Sequence, residues 1–132
     1  MKEMIVKDFM NTNFAKISAE MPVITASIEL IKKEALGGPV VDNNNKLLGW
    51  ISEQECIQVT TEFAYHNQCV ALVKDIMRTD VLTVKADQTI LSLAEKMIGT
   101  QPKNYPVVDE SNKVIGVITR RRVLKSILDN VF

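Results

Sequence analysis

Two equivalent stretches of the chain place hydroxyl and charged side chains where they could bind a ligand. In the first stretch, Ser52 is followed three residues later by Glu55; in the second, Thr119 is followed at once by three arginines, residues 120–122. Ser-x-x-Glu ahead of a helix is the pattern of a capping box. Three cations in a first helical turn oppose the helix dipole, by about 0.3–1 kcal/mol each. The second stretch is therefore the better candidate for an anion-binding site.

Both stretches have more than one interpretation. Glu55 can serve the capping box alone, or its carboxylate can hold a ligand hydroxyl. The arginines can be solvated and paired with acidic neighbours from the other copy or another subunit. They can instead bind phosphate, because guanidinium groups and the N–H groups of a helix N-terminus suit phosphate oxygens. Nucleic acid is a third interpretation, which lacks the interleaved aromatic residues that would stack on bases.

The residue types offer little support for catalysis or for metal binding. His66 is the only histidine, which argues against most catalytic triads and metal hydrolases. His66 and Cys69 have the spacing of two metal ligands, but a zinc site needs a second pair. Cys56 and Cys69 are too few for a disulfide framework. We therefore expect no enzyme activity, no metal and no required cofactor.

The bulk composition excludes several classes of protein. With 132 residues and 46% hydrophobic content the chain can fill a core, and it has no apolar run of the roughly 20 residues that a membrane helix needs. Its first residues lack the apolar core of a signal peptide, so we expect a cytoplasmic location and no contact with a membrane. The formal net charge is zero, which argues against a dedicated nucleic-acid binder.

The charge is nevertheless uneven along the chain. Residues 1–66 carry six Lys and nine Asp or Glu, a net charge of −3. Residues 67–132 carry six Lys, four Arg and seven Asp or Glu, a net charge of +3. The basic half is the one that contains the arginine cluster at 120–122.

The two stretches belong to an internal duplication. From Val6 to Ile57, 15 of 52 positions are identical to the residue 67 positions later, with no gap, against roughly three expected from composition. Two copies with so long a period are too few for a solenoid. The offset predicts an α/β (α+β) fold of two βαββα halves packed about a pseudo-twofold axis. The predicted boundaries are 1–66, which includes the N-terminal segment, and 67–132, with a short linker at 65–72.

Hydrophobic periodicity within each copy predicts the elements that position these residues. Short strands are predicted at 14–17 and 81–84, and β-hairpins around the Asx-rich turns that begin at Asp42 and Asp109. Apolar stripes predict one helix before each hairpin and a closing helix after it. The stripe residues are Val23, Ala26, Leu30 and Ile31, then Ile90, Leu93, Ala94, Met97 and Ile98 before the hairpins, and Cys56, Ile57, Thr60, Phe63 and Ala64, then Val123, Leu124, Ile127, Leu128 and Val131 after them.

The repeated motifs resemble those of a tandem pair of cystathionine-β-synthase (CBS) domains, also called a Bateman module, over about residues 4–132. Each copy begins with Val-Lys-Asp-x-Met and later contains Gly-Pro-Val-Val-Asp or Tyr-Pro-Val-Val-Asp, at 38–42 and 105–109. The third motif reads Gly-Trp-Ile-Ser-x-x-Glu at 49–55 and Gly-Val-Ile-Thr-x-x-Arg at 116–122. Each motif is weak alone, but their occurrence twice, in order and at one spacing, makes the resemblance strong.

The resemblance implies a non-catalytic regulatory module that binds AMP, ADP, ATP or a related adenosyl or phosphorylated ligand in clefts between the two halves. Such modules usually assemble as homodimers, discs of four CBS repeats. Because at most five residues precede the first motif and the last helix ends the sequence, we expect signal transduction in trans, to an unknown effector protein. The ligand would favour one relative arrangement of the halves. The alternative is a ligand-free dimerisation or scaffolding module with degenerate clefts.

By the same resemblance, ligand contacts fall at matching positions of both copies. The end of the first strand and the residues around the motif proline would line the base pocket. The motif hydroxyl and the residue three positions later would bind the rest of the ligand; there the family has aspartate and this chain has Glu55 and Arg122. The expected ligand-binding residues are Thr83, Val84, Tyr105, Pro106, Thr119, Arg121 and Arg122 in the second copy, and Ile17, Gly38, Pro39, Ser52 and Glu55 in the first.

Overall fold

The computed structural model of the protein describes residues 3–66 and 71–132. The chain divides into two compact units: a central unit, Phe14–Val81, and a terminal unit that combines Met1–Asn13 with Leu82–Phe132. These units do not follow the repeat boundaries predicted at 1–66 and 67–132. Each unit instead contains the body of one repeat and the opening segment of the other.

The central unit is built around a two-stranded antiparallel β-hairpin. Helix α1 (Val23–Lys32) leads to strands β1 (Gly37–Val41) and β2 (Leu47–Ser52), and helix α2 (Glu53–His66) follows β2 directly. A single helical turn, α3 (Val73–Ile76), comes near the end of the unit. The buried core residues are Ala15, Ile17, Val23, Ala26, Leu30, Val40, Ile51, Cys56 and Val73.

The terminal unit has the same plan with one more strand. Strand β3 (Val84–Lys85) pairs in parallel with β4 (Asn104–Val108), which pairs antiparallel with β5 (Val114–Thr119). Helix α4 (Ile90–Lys96) connects β3 to β4, and helix α5 (Arg120–Val131) follows β5 directly. The buried core residues are Val6, Val84, Ile90, Leu93, Met97, Tyr105, Val107, Ile118 and Val123.

The opening segments attach through equivalent backbone hydrogen bonds in the two units. The Val6 N–H donates to the Gln88 carbonyl at 2.9 Å in the terminal unit, and the Val73 N–H donates to the Met21 carbonyl at 2.8 Å in the central unit. Both valines are fully buried. Because they are the first residues of the two Val-Lys-Asp-x-Met motifs, this motif fastens the start of each repeat to the body of the other.

Both hairpin turns have the predicted Asx geometry. Asp109 Oδ1 accepts from the backbone N–H groups of Ser111, at 2.8 Å, and Lys113, at 3.0 Å. Asp42 accepts the two corresponding bonds in the first hairpin. The backbone donors, Lys113 first, stabilise the ionised carboxylate and lower the pKa of Asp109. A short polar turn of this kind is set by local sequence alone.

Several predicted features of the elements are wrong. The strand expected at 81–84 is the two-residue β3, and the strand expected at 14–17 is reduced to one parallel bridge between Ile17 and Val40. Ile31 and Ile98 end the predicted stripes of α1 and α4, but 76% and 77% of their surface is exposed. The linker expected at 65–72 lies partly outside the described residues. The predicted stripe residues of the closing helices that are exposed are Ile57, Phe63, Ala64, Leu124, Leu128 and Val131.

Candidate functional site

Three of the residues expected to bind a ligand line one cleft of the terminal unit. Val84 is the first residue of β3, Thr83 directly precedes it, and Tyr105 is the second residue of β4. Parallel pairing of Val84 with Val107 holds the start of β3 beside β4. The cleft has a volume of about 400 Å³, and its remaining lining residues are Leu82, Glu95, Lys96, Ile98 and Gln101.

The cleft combines apolar surface with a few polar groups. Tyr105 and Val84 are almost fully buried, whereas Leu82 and Ile98 expose more than half of their surface. Burial raises the pKa of the Tyr105 phenol, so the ring remains neutral at physiological pH. Polar and apolar surface line the cleft in about equal parts, and its volume is within the range of about 300–1,000 Å³ that is typical of small-molecule sites.

The start of α5 is a capped helix terminus. Thr119 Oγ1 accepts from the Arg122 N–H at 3.1 Å, as an N-cap residue does. The Arg120 N–H donates to the Lys103 carbonyl at 2.7 Å. Two of the N–H groups at this terminus are therefore already bonded within the protein, which leaves fewer backbone donors for an anion.

The three arginine side chains have different environments. Arg122 Nη1 donates to the Phe9 carbonyl at 3.2 Å, within the same unit. Arg120 and Arg121 are exposed, and neither forms an ion pair with a carboxylate of the described residues. The interpretation that the arginines pair with acidic groups of the same chain therefore fails for the described residues. The expected residues of this unit that do not line the cleft are Pro106, Thr119, Arg121 and Arg122.

Ser52 and Glu55 form a closed network at the start of α2. Glu55 Oε1 accepts from the Ser52 N–H at 3.2 Å, and the Ser52 hydroxyl donates to Glu55 Oε2. Arg78 Nε lies 3.8 Å from Glu55 Oε1. Half of the predicted capping box is thus present, since Glu55 reaches back to the backbone while Ser52 Oγ bonds the carboxylate. Both carboxylate oxygens are engaged within the unit.

The other expected residues of the central unit serve its packing. Ile17 is fully buried, and its N–H donates to the Pro39 carbonyl at 3.2 Å. A Cβ on Gly38 would lie 2.9 Å from the Ala15 carbonyl oxygen, so the chain passes too close for a larger residue. These three positions, Ile17, Gly38 and Pro39, present buried surface with no polar side chain.

Five lining residues of the terminal cleft were not predicted. Four of them, Glu95, Lys96, Ile98 and Gln101, come from the end of α4 and the loop after it, where no repeated motif points to a site, and Leu82 precedes β3. Ile98 lies beyond the last residue of α4, Lys96, and is largely exposed, but its place in the apolar stripe gave no sign of this. Glu95, Lys96 and Gln101 carry no pattern that separates them from ordinary surface residues.

The remaining candidates for chemistry give no site. Among the described residues, no three His, Cys, Asp or Glu side chains lie close enough together to hold a metal ion. His66 is exposed, and Cys69, its expected companion, lies outside the described residues. Cys56 is buried, and burial raises the pKa of its thiol. No helix in the described part of the chain is long and apolar enough to cross a membrane.

Comparison with known proteins assigns both repeats to one family. The CBS domain family matches residues 6–61 and 73–129. The uncharacterized protein MJ1004 of Methanocaldococcus jannaschii is 27% identical over 124 residues, which are 94% of this chain and 56% of that protein. The inosine-5′-monophosphate dehydrogenase of the same organism is 32% identical over 100 residues, 75% of this chain but 19% of the enzyme. The chain therefore spans less than two thirds of either relative.

A solved structure has the same fold over nearly the whole chain. The crystal structure of CBSX2 in complex with AMP matches with a TM-score of 0.83 and 26% sequence identity, over 98% of this chain and 99% of that one. CBSX2 is a CBS-pair protein from Arabidopsis thaliana. The match confirms the predicted fold class of mixed helices and sheet.

Proposed function

The chain belongs to the CBS domain family, and on this premise we propose that it is a regulatory module without catalytic activity that binds AMP, ADP, ATP or a related adenosyl ligand. The observation that carries the proposal is the terminal cleft, which Thr83, Val84 and Tyr105 line together. The likeness to CBSX2, a protein solved with AMP, supports the same ligand class.

The cleft suits the adenosine part of such a ligand. Its volume of about 400 Å³ lies in the usual range for small-molecule sites. Leu82 and Ile98 offer apolar contacts to the faces of a purine. The Gln101 amide can both donate and accept a hydrogen bond at the base edge. The Thr83 hydroxyl can do the same for the ribose.

The phosphates of the ligand would bind at the start of α5. Arg121 has an exposed guanidinium without an acidic partner among the described residues, and Arg122, also exposed, is bonded there only to the Phe9 carbonyl. A guanidinium can bond two phosphate oxygens in parallel, and the positive end of the helix dipole adds attraction. The Thr119 hydroxyl accepts from the backbone and can still donate its own hydrogen to a phosphate oxygen.

A second candidate function is a ligand-free dimerisation or scaffolding module. It is favoured by the residues that replace the aspartate of the family. Both oxygens of Glu55 are bonded to Ser52, and the Arg122 side chain is bonded to the backbone. Glu55 therefore offers a ribose only the lone pairs that Ser52 leaves free, and Arg122 has no acceptor for a ribose hydroxyl. In both candidates the protein is a homodimer that acts on a partner protein in trans, through the conformation that the partner recognises.

Titration calorimetry with AMP, ADP and ATP distinguishes the two candidates, and the duplication provides a matched control. Ile98 lines the cleft and Ile31 is its equivalent in the central unit, and both are more than three-quarters exposed. We expect Ile98→Glu to weaken binding at least about tenfold, because a charged carboxylate replaces the apolar contact that Ile98 offers to the purine. Ile31→Glu should bind like the unaltered protein. Equal binding by both variants would exclude this cleft.

The phosphate contacts have their own matched pair. Arg121→Ala should weaken binding of ATP more than binding of adenosine, whereas Gln54→Ala, at the equivalent position in α2, should change neither. The same affinity for ATP in Arg121→Ala and in an Arg122→Ala variant would remove the arginines from the site. No heat of binding with any nucleotide at millimolar concentration would leave the scaffolding function.

A further inference from the structure

The closing helices α2 and α5 both leave apolar side chains exposed. In α5 these residues recur at intervals of four and three, which places them on one face of the helix. A row of this kind on a surface helix usually contacts another protein surface. The exposed apolar residues are Leu124, Leu128 and Val131 in α5, and Ile57, Phe63 and Tyr65 in α2.

The same two helices carry opposite charge. Helix α2 contains three Glu and no Lys or Arg, a net charge of −3 with His66 neutral. Helix α5 contains three Arg, one Lys and one Asp, so its net charge is 4 − 1 = +3. Among the described residues, Glu53 and Glu62 on α2 and Arg120 and Arg121 on α5 are exposed and form no ion pair.

The helix that precedes the hairpin in each unit carries no such net charge. Helix α1 contains one Glu and one Lys, and helix α4 likewise contains one Glu and one Lys, so both are neutral. Helix α1 also exposes apolar residues, Ile24, Ile28 and Ile31. Among these four helices, the closing pair is therefore the one that carries opposite net charge.

We propose that two copies of the chain associate so that α5 of each faces α2 of the other. This inference rests on the homodimer of the proposed function and adds its pairing. Pairing α5 with α5 would bring two cationic helices together, and pairing α2 with α2 would bring two anionic ones together. Juxtaposed like charges select against a partner far more than rim charges add to affinity. In a twofold-symmetric dimer the favourable contact occurs twice.

Charge reversal tests the pairing on the whole chain. One variant carries Arg120→Glu and Arg121→Glu, a second carries Glu53→Arg and Glu62→Arg, and a third carries all four changes. We expect each pair of changes to raise the dimer dissociation constant about tenfold or more, and the four together to restore it to within about threefold. Sedimentation equilibrium at low ionic strength measures the constants, since salt screens these charges.

The controls separate this inference from the function on which it rests. Lys32→Glu on α1 should leave dimerisation unchanged, and thermal melting should show that every variant folds. If α5 instead pairs with α5, reversing its charges leaves like charges facing each other. The variant with all four changes would then not restore the dissociation constant, and this result would overturn the pairing alone. The dimer constants are measured without nucleotide, because Arg121 is also assigned to the ligand phosphates. An unaltered protein that stays monomeric at high concentration would overturn the pairing and the homodimer together.

Discussion

Glu55 in the central unit and Arg122 in the terminal unit occupy equivalent positions, but they form different contacts. Glu55 binds its own helix start through Ser52 and lies 3.8 Å from Arg78 of the opening segment. Arg122 reaches the opening segment of its unit by donating to the Phe9 carbonyl. The charge at this position is inverted between the units, yet the closing helix contacts the opening segment in both.

The backbone around the two positions is the same. Trp50 and Arg78 exchange two N–H···O bonds of 2.9 Å in the central unit. Asn11 and Val117, at the equivalent positions, exchange bonds of 2.8 and 2.9 Å in the terminal unit. We call these paired backbone bonds, Trp50–Arg78 and Asn11–Val117, the frame of each unit. The two units share this frame and differ in their side chains. Substitutions that strain the frame should therefore cost more than those that remove a side-chain contact.

The largest effect is expected at a glycine of this frame. A Cβ on Gly49 would overlap the Arg78 carbonyl oxygen, which the frame holds in place, whereas a Cβ on Gly116 would first meet the flexible Met10 side chain, at 2.6 Å. We expect Gly49→Ala to lower the free energy of unfolding by about 3 kcal/mol and Gly116→Ala by about 1 kcal/mol. Urea denaturation measures both. Equal losses would show that the two frames are equally tolerant.

Removing the side chains at the inverted position should cost less. Glu55→Ala leaves the half-buried Ser52 N–H without its acceptor and removes the ion pair with Arg78, so we expect a loss of about 1–2 kcal/mol in unfolding free energy. Arg122→Ala removes one exposed hydrogen bond and should cost about 0.5 kcal/mol. Thermal unfolding monitored by circular dichroism compares them. A larger loss for Arg122→Ala would mean that its contact with Phe9 is the stronger anchor.

The two helix starts should also differ in how their residues depend on each other. Ser52 and Glu55 act through one shared network, so their alanine substitutions should be non-additive by about 1 kcal/mol in a double-mutant cycle. Thr119 bonds the backbone N–H of Arg122, which Arg122→Ala retains, so that pair should be additive within about 0.3–0.5 kcal/mol. Similar coupling energies in both cycles would contradict the observed bonding.

Local sequence was sufficient for the parts of the fold that local bonds determine. Asp42 and Asp109 form the predicted turns because their acceptors lie two and four residues away. The exchange of opening segments was missed because it joins Val6 to Gln88, and no periodicity reports a contact over that separation. The exposure of Ile31 and Ile98 was missed for a related reason. An apolar stripe shows which helix face is apolar, but not how much of it the chain itself covers.

The candidate site was likewise predicted only in part from the sequence. The motif positions of the terminal unit predicted Thr83, Val84 and Tyr105, which lie at or beside the adjacent strands β3 and β4 and line one cleft. The equivalent positions of the central unit are buried or bonded locally, because Ser52 and Glu55 satisfy each other. Sequence equivalence therefore predicted where the residues lie in the fold. It did not predict that Ser52 and Glu55 of the central unit would bond to each other.

The smallest expected effect concerns a contact that the second hairpin has and the first lacks. Lys85 Nζ donates to the Asp109 carbonyl oxygen at 3.2 Å, whereas the equivalent residue of the first repeat is Ser18. The pKa of Asp109 is lowered first by the backbone N–H of Lys113 and last by attraction to Lys85. Replacing Lys85 by serine makes the second hairpin match the first and should raise the pKa of Asp109 only slightly, which an NMR titration of its carboxyl carbon would detect.

The lowered pKa of Asp109 also determines the direction in which folding stability changes with pH. Because the carboxyl binds its proton less tightly in the folded chain, its stabilisation is present above the unfolded pKa of about 3.9 and is lost as pH falls through the folded value. Asp109→Asn keeps an acceptor for the turn but removes the charge, so its melting temperature should fall below that of the unaltered protein at pH 6. The difference should shrink as pH falls below the unfolded pKa of about 3.9 and through the lower folded value. A difference that is constant over this range would assign the role of Asp109 to turn geometry alone.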